Sequence, residues 1–285
     1  GLASGRTSTV GLLTPLFETY YASRVMAGVE AELAASGLDL LIRAADTPER
    51  RAAVAADMRA LAARVDGLIT VDYFGDDVSN RAMVSGDMPV VTVGERVAGA
   101  SGIYIDNVAA AAAASRHLVE LGHRRIGLMT GANRERHESP VPLLRRQGYA
   151  QVLREEGIAV DRSLEVDGEF SIGGGVAAMA RLLDSADPPT AVFALSDEMG
   201  LGILHELGRR RLRAGVDVSV IGFDDHAAAQ VVGLTTMAQP MADMGRTAVR
   251  EVLRRAAAPE RPTVDREVEA TLVVRSSTGP PVDAV

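Results

Sequence analysis

Short runs of β-branched and apolar residues alternate with longer, Ala-rich stretches in the first half of the chain. The clearest helical pattern places Val25, Val29 and Leu33 on one face, and Gly37 follows as a stop signal. The apolar runs between such stretches predict strands over residues 9–13, 38–43, 65–71, 89–93 and 102–105.

The same rhythm restarts after residue 124. It predicts strands over 125–130, 163–166, 191–195 and 218–223, and helices over 141–156, 173–183 and 199–208. Strands that alternate with helices of ten or more residues form βαβ units and parallel sheets. The chain is therefore predicted to be an α/β protein with two doubly wound, parallel-sheet lobes and a ligand cleft between them. Ligands of such folds bind at the carboxyl ends of the strands.

Length and composition agree with two domains and remove many kinds of chemistry. The chain has 285 residues, is 47% hydrophobic, and carries only Arg among its 30 basic residues, with no Lys and no Cys. These absences exclude Schiff-base lysines, Walker-A lysines, thiol nucleophiles and cysteine metal sites. A net charge of −8 predicts that these residues bind DNA negligibly at physiological salt. The longest apolar run, 108–114, is too short to cross a bilayer.

The local motifs give no support for catalysis, a cofactor or a metal. The stretch Ser171-Ile172-Gly173-Gly174-Gly175 lacks the spacing of a nucleotide fingerprint and favours a helix-entry loop. The five His residues show no metal-ligand spacing, and no nucleophile-elbow motif occurs. We therefore expect a protein that is not an enzyme, has no cofactor and holds no metal.

Polar residues recur where the predicted strands end. Thr14, Asp72, Asp106, Ser196 and Asp224 each follow such a strand. Any one of them could be a turn or N-cap residue. Their convergence on one edge favours recognition of a polar ligand, and carboxylates and hydroxyls with an aromatic face suit a sugar.

An ordered set of motifs resembles the effector-binding region of the lactose/galactose repressor (LacI/GalR) family of bacterial transcription regulators. The most specific motif, residues 117–127, reads His-Leu-Val-Glu-Leu-Gly-His-Arg-Arg-Ile-Gly. Further matches lie, in order, at 65–69, 88–91, 106–107, 189–193, 217–225, 234–236, 239–240 and 272–278. The resemblance runs from about Leu2 to Thr278, and residues 2–7 resemble the end of the family's linker to its DNA-binding domain.

The resemblance implies a fold similar to that of periplasmic sugar-binding proteins. It divides the chain into a linker remnant at 1–7, an N-terminal lobe at 8–118 plus 240–262, a C-terminal lobe at 119–239 plus 263–280, and a tail at 281–285. It also implies a cytoplasmic homodimer that contacts operator DNA only through an absent N-terminal helix-turn-helix domain, and no membrane partner. Apolar residues around Val25-Met26 and at Met237, Met241 and Met244 could supply the dimer interface or fill the lobe cores.

The resemblance also implies a set of ligand-binding residues. Arg145, three residues before Gly148, matches the family arginine that binds the effector, although a surface Arg beside Arg146 is the alternative. Phe170 matches a stacking aromatic but would equally suit a core. The remaining candidates are Asp224, Ser196, Gln239, Asp106, Thr14, Tyr20 and Tyr21. The departure from the family pattern lies in the segment from Glu138 to Leu144, where Pro140 and Pro142 flank positions at which relatives often carry polar ligand contacts. This departure leaves the effector's identity open.

The sequence thus favours the effector-binding and dimerisation core of a transcriptional regulator that senses a small polar ligand, with a sugar as the leading class. Cleft closure would be coupled to the DNA affinity of the helix-turn-helix domain. The alternatives are an extracytoplasmic sugar-binding protein of a transporter and an enzyme on a doubly wound fold.

Overall fold

A computed structural model of the chain describes residues 7–14, 19–73, 75–131 and 139–282. Most of the predicted linker remnant and of the tail lies outside these residues, as does Glu138. The chain divides into two compact units, and each is built from segments that are separated in sequence. Unit 1 comprises Gly1–Ile105, Arg136–Ser139 and Pro240–Glu269, and unit 2 comprises Asp106–Glu135, Pro140–Gln239 and Ala270–Val285.

The elements of the described residues are numbered along the chain. The strands are β1 Thr9–Thr14, β2 Asp39–Ala44, β3 Gly67–Val71, β4 Val90–Val93, β5 Ser101–Tyr104, β6 Ile126–Thr130, β7 Glu165–Asp167, β8 Ala191–Ala194, β9 Ser219–Phe223, β10 Thr235–Ala238, β11 Asp265–Glu267 and β12 Thr271–Val273. The helices are α1 Tyr20–Ser36, α2 Pro48–Ala56, α3 Met58–Ala62, α4 Asp77–Val84, α5 Asn107–Glu120, α6 Val141–Glu155, α7 Ile172–Leu183, α8 Asp197–Arg209, α9 Ala227–Val232 and α10 Met241–Ala257.

Each unit contains one six-stranded sheet. The sheet of unit 1 has the order β11-β5-β4-β3-β1-β2 and is parallel throughout. The sheet of unit 2 has the order β12-β10-β9-β8-β6-β7 and is parallel except that β12 runs antiparallel to β10. The predicted fold class, α/β with two parallel sheets, is confirmed.

The sequence predicted that the chain passes from one lobe to the other after residues 118 and 262. In the structure the chain passes between the units at other residues. Helix α5 belongs to unit 2 because it packs against α6, where Gly148 lets the backbone of Val108 approach closely. Strand β11 belongs to unit 1 because it pairs with β5. The crossing after Gln239 coincides with the predicted one.

Most of the described helices, although not α3, α6 and α10, begin where a side chain accepts a hydrogen bond from a backbone N–H of the first turn. Ser171 Oγ accepts a hydrogen bond from the Gly174 N–H at the start of α7, so the glycine-rich stretch enters a helix as expected. Within that helix Gly175 lies against the backbone of α8, and Gly202 of α8 lies against the backbone of α7. These glycines therefore serve close helix packing.

Methionines fill the cores of the units. Met241 and Met244 of α10 are buried against α1 and the unit 1 sheet, in a cluster that includes Val25 and Val249. Met237 on β10 is 1% exposed. The interpretation of these residues as a dimer surface is therefore wrong, and the core alternative is correct. Among the described residues, no helix combines the length and the apolar character that a bilayer crossing requires.

Candidate functional site

Three neighbouring strands of unit 2 end in polar residues. Ser196 follows β8, Asp224 follows β9, and Gln239 follows β10. Because β8, β9 and β10 are adjacent and parallel, their carboxyl ends lie at one edge of the sheet. The structure thus places three of the predicted ligand residues along this edge.

Arg145 reaches the same edge from α6. It is only 6% exposed, its Nε donates to Asn107 Oδ1 at 2.9 Å, and one terminal nitrogen donates to the Leu195 carbonyl at 2.6 Å. The guanidinium also stacks on the ring of Phe223, 3.5 Å from its centroid. The alternative of an exposed surface arginine is wrong, because α6 turns this side chain inward.

Asp224 is a buried carboxyl held beside Gln239. Gln239 Nε2 donates to Asp224 Oδ1 at 2.5 Å, and Asp224 is 6% exposed. Burial raises the pKa of Asp224 to about 7, although the positive charge of Arg145 acts in the opposite direction. Asp224 therefore lies within the electrostatic influence of Arg145, and the two predicted residues share one environment.

Asp197 is the first residue of α8 and lies close enough to Asp224 for the two carboxyl groups to interact. It is fully buried, and its carboxylate accepts hydrogen bonds from the His226 N–H at 2.6 Å and the Thr236 hydroxyl at 2.7 Å. Burial raises the pKa of Asp197 to about 8, and the neighbouring Asp224 charge adds to this. Two carboxyl groups with raised pKa values therefore lie close together at this edge.

Ser196 and Phe170 both make contacts within unit 2 that have a structural role. Ser196 is 3% exposed, and its Oγ accepts from the Met199 N–H as the N-cap of α8, so one of its acceptor sites is used. Phe170 lies between β7 and α7 with φ 48°. Its half-buried ring covers Gly131, the residue after β6, so that a side chain at Gly131 would collide with it.

Asp106 caps a helix. Its Oδ1 accepts from the N–H groups of Val108 and Ala109, each at 2.9 Å, at the start of α5. The turn or N-cap alternative therefore accounts for this residue. The buried side chain of its neighbour Asn107 accepts a hydrogen bond from Arg145.

Unit 1 gathers the other predicted residues at the carboxyl edge of its own sheet. Thr14 ends β1 and is fully buried, while Tyr20 and Tyr21 open α1 and are half-buried against the unit 1 core. Asp72 follows β3, and its carboxylate fills the space beside Gly94, which has φ 93° and therefore suits glycine.

The unit 2 cluster can donate to and accept from hydroxyl groups. A buried guanidinium, a carboxylate and an amide can form short, charge-assisted hydrogen bonds with vicinal hydroxyls. Phe223 is fully buried and supports the Arg145 guanidinium from one side. Within residues 7–14, 19–73, 75–131 and 139–282, no group of three or more His, Asp or Glu side chains could hold a metal ion.

Sequence reasoning missed Asp197, Asn107 and Phe223. Asp197 carries only the ordinary signal of an acidic residue in the first turn of a helix. Asn107 follows a clear N-cap, and Phe223 precedes the predicted ligand residue Asp224. A pattern along the chain does not reveal that all three contact or adjoin the two predicted charges.

A model of the periplasmic binding protein-like domain family matches residues 115–278. The HTH-type transcriptional repressor CytR of Escherichia coli (strain K12) is 40% identical over 178 residues, which are 62% of this chain and 51% of that protein. The matched region is therefore about half the length of CytR.

Two further comparisons cover nearly the whole chain. The HTH-type transcriptional regulator CelR of Thermobifida fusca is 32% identical over 292 residues, which cover 97% of this chain and 83% of that protein. The crystal structure of a LacI family transcriptional regulator from Enterococcus faecium with bound ribose superposes with a TM-score of 0.83 at 27% identity, covering 95% of this chain and 99% of that one.

Proposed function

Since this chain belongs to the LacI family of transcriptional regulators, we propose that it is a core domain that binds a small polar effector, with sugars as the leading class. The effector would change the affinity of a helix-turn-helix domain for operator DNA. Thermodynamically, such an effector biases a two-state equilibrium by binding one state more tightly.

One observation carries this proposal: the buried Arg145, Asp224 and Gln239 meet at the carboxyl edge of the unit 2 sheet. Burying a guanidinium and a carboxylate is costly unless each finds hydrogen-bonding partners. Both groups have partners within unit 2, but a carboxylate has more acceptor sites than the bond from Gln239 uses, so a ligand hydroxyl can still donate to Asp224. The relative from Enterococcus faecium was solved with bound ribose, which carries such hydroxyls.

We further propose that the protein works as a cytoplasmic homodimer. Val231 and Val232 of α9 are 85% and 46% exposed, and Val274, which follows β12, is 58% exposed. The two segments are joined by hydrogen bonds from Arg275 to Leu234 and Thr235, so these side chains belong to one region of unit 2. Apolar side chains concentrated in this way suit a contact with a second copy.

The alternative functions have less support. The relatives named above are transcriptional regulators, so a sugar-binding protein of a transporter is not favoured. They are also not enzymes, and we propose that this chain has no catalytic activity.

The experiment is a thermal-shift screen against sugars, sugar phosphates and nucleobases, followed by calorimetric titration of the best compound. A ligand that binds only the folded state raises the melting temperature. Asp224→Asn should weaken its binding by roughly ten- to a hundredfold, because one charged hydrogen bond contributes about 1.5–3 kcal/mol.

Asp243→Asn is the matched control, because Asp243 carries an exposed carboxylate of unit 1. It should bind like the unmodified protein. No stabilising compound in the screen, or equal affinity in the Asp224→Asn variant, would contradict the proposal.

A further inference from the structure

The turn that presents Asp224 has an unfavourable backbone conformation. Asp224 has φ 112° and Asp225 has φ 53°, both in the region that residues with a side chain rarely adopt. Such conformations persist only where the surrounding structure fixes them. The position of the Asp224 carboxylate therefore depends on whatever holds the segment from Asp224 to His226.

Asp197 holds this segment from below. Its Oδ2 accepts from the His226 N–H at 2.6 Å, and its Oδ1 accepts from the Thr236 hydroxyl at 2.7 Å. The Thr236 oxygen in turn accepts from the Asp225 N–H at 3.3 Å. One carboxylate thus fixes two successive N–H groups of the strained turn, the second of them through Thr236.

The surrounding chain makes room for this carboxylate. Gly222 of β9 lies so close to Asp197 Oδ1 that any side chain at this position would collide with it. Full burial of a carboxyl group in a protein core costs free energy unless its oxygens accept hydrogen bonds. The free-energy cost of burying this carboxyl, and the two hydrogen bonds that it accepts, indicate that Asp197 has a specific role.

We propose that Asp197 is a positioning residue that holds the effector-binding carboxylate of Asp224 in place through the Asp224–His226 turn. This inference rests on the proposed function, in which Asp224 contacts the effector. Asp197 itself lies under the turn and would act through Asp224.

The charges around Asp197 make this role sensitive to pH. Asp224 and Glu198 both raise the pKa of Asp197, whereas the bonds from Thr236 and the His226 N–H lower it. Arg145 acts on Asp224 and lowers its pKa. Protonation converts one Asp197 oxygen into a hydroxyl, which is a weaker acceptor and must place its own proton, so one of the two hydrogen bonds that Asp197 accepts is weakened. The turn should therefore loosen as Asp197 takes up a proton.

The test is amide hydrogen exchange by NMR on the full chain, without ligand. In Asp197→Asn, protection of the His226 and Asp225 amides should fall by roughly tenfold or more relative to that of Val220 in the neighbouring strand β9. In the unmodified protein the same ratio should fall as the pH decreases through the titration of Asp197. A residue that only fills space would show no such pH profile.

Glu206→Gln is the matched control, because Glu206 is a fully buried carboxyl on the same helix whose partners are Arg209 and Arg210. It should lower overall stability and leave the ratio unchanged. Thr236→Val removes one donor and keeps the carboxylate, so it provides a second variant if Asp197→Asn does not fold. It should lower protection of the Asp225 amide.

Carboxyl ¹³C titration gives an independent measurement. Asp224→Asn should lower the midpoint of Asp197, because a neighbouring like charge is removed. Equal loss of protection in Asp197→Asn and Glu206→Gln, or a ratio that does not change with pH, would overturn the inference. A ligand screen without hits would contradict the proposed function alone, since these measurements need no ligand.

Discussion

Two buried carboxyl groups, Asp197 and Asp224, make the stability of the protein depend on pH in a direction opposite to that of most carboxylates. Their ordinary pKa of 3.8 is raised to about 8 and about 7. Between pH 3.8 and these raised pKa values, the two carboxyl groups are protonated in the folded state and ionised in the unfolded chain. The free energy of unfolding should therefore fall as pH rises through about 7 to 8.

We expect the melting temperature of the ligand-free protein to decrease between about pH 6.5 and pH 8. Below this range His117 and His123 act in the opposite direction, because burial lowers their pKa values and the unfolded chain takes up their protons first. Asp224→Asn should reduce that decrease, because the amide cannot ionise. Asp167→Asn, which removes a half-buried carboxyl of β7, is the comparison variant. A profile that is equally steep in Asp224→Asn would contradict the assignment.

Arg145 should contribute to stability as well as to binding. Arg145→Ala removes bonds to Asn107 and Leu195 and the stack on Phe223, so unfolding in urea should require less denaturant. Each hydrogen bond to a charged group contributes about 1.5–3 kcal/mol.

Arg154→Ala, an exposed position on the same helix, is the control and should unfold at nearly the same urea concentration as the unmodified protein. Equal midpoints for the two variants would show that the buried bonds of Arg145 contribute nothing to stability.

The sequence could predict where a site residue lies when a polar residue directly follows an apolar strand. Asp224 and Ser196 directly follow apolar strands, so their place at the sheet edge could be predicted. Asp197 is next to Ser196, yet its burial depends on Thr236 and His226, which are brought to it by the fold. Such long-range contacts leave no local pattern.

At the level of elements, α7 and α8 pack so closely that their glycines are required. A Cβ at Gly202 would collide with the Ile172 carbonyl, whereas one at Gly208 on the same helix would meet nothing within 4 Å. Gly202→Ala should therefore destabilise the protein by about 1–3 kcal/mol. Gly208→Ala should instead stabilise it by about 0.5–1 kcal/mol, because alanine favours helix.

Urea unfolding of both variants measures this difference. Similar shifts in the same direction would mean that helix propensity, and not the contact between α7 and α8, decides the outcome at Gly202.

The long helices and buried strands were predictable because their apolar periodicity is strong. Strand β11, in contrast, consists of Asp265, Arg266 and Glu267, which are all exposed, and it pairs with β5 through backbone hydrogen bonds that leave no apolar pattern in the sequence. Short α3 and α9 have too few residues to show a helical period. These elements therefore became visible only in the structure.

At the level of the whole molecule, we expect a dimer in light scattering at tens of micromolar. Val231→Asp should shift the mass to that of a monomer, because an exposed apolar contact would become charged. Val216→Asp, at another exposed valine of unit 2, is the control and should leave the mass unchanged. A monomer in the unmodified protein would contradict the proposed homodimer.

The division of each unit into separated segments has a consequence for synthesis. The core of unit 1 needs α10 and β11, which the ribosome makes only after residue 239, when nearly all of unit 2 has emerged. Translation of the intervening residues takes on the order of ten seconds. During that time the face of the first sheet that α10 will cover has only α1 packed on it, so we expect the nascent chain to be most vulnerable to aggregation before residues 240–269 appear.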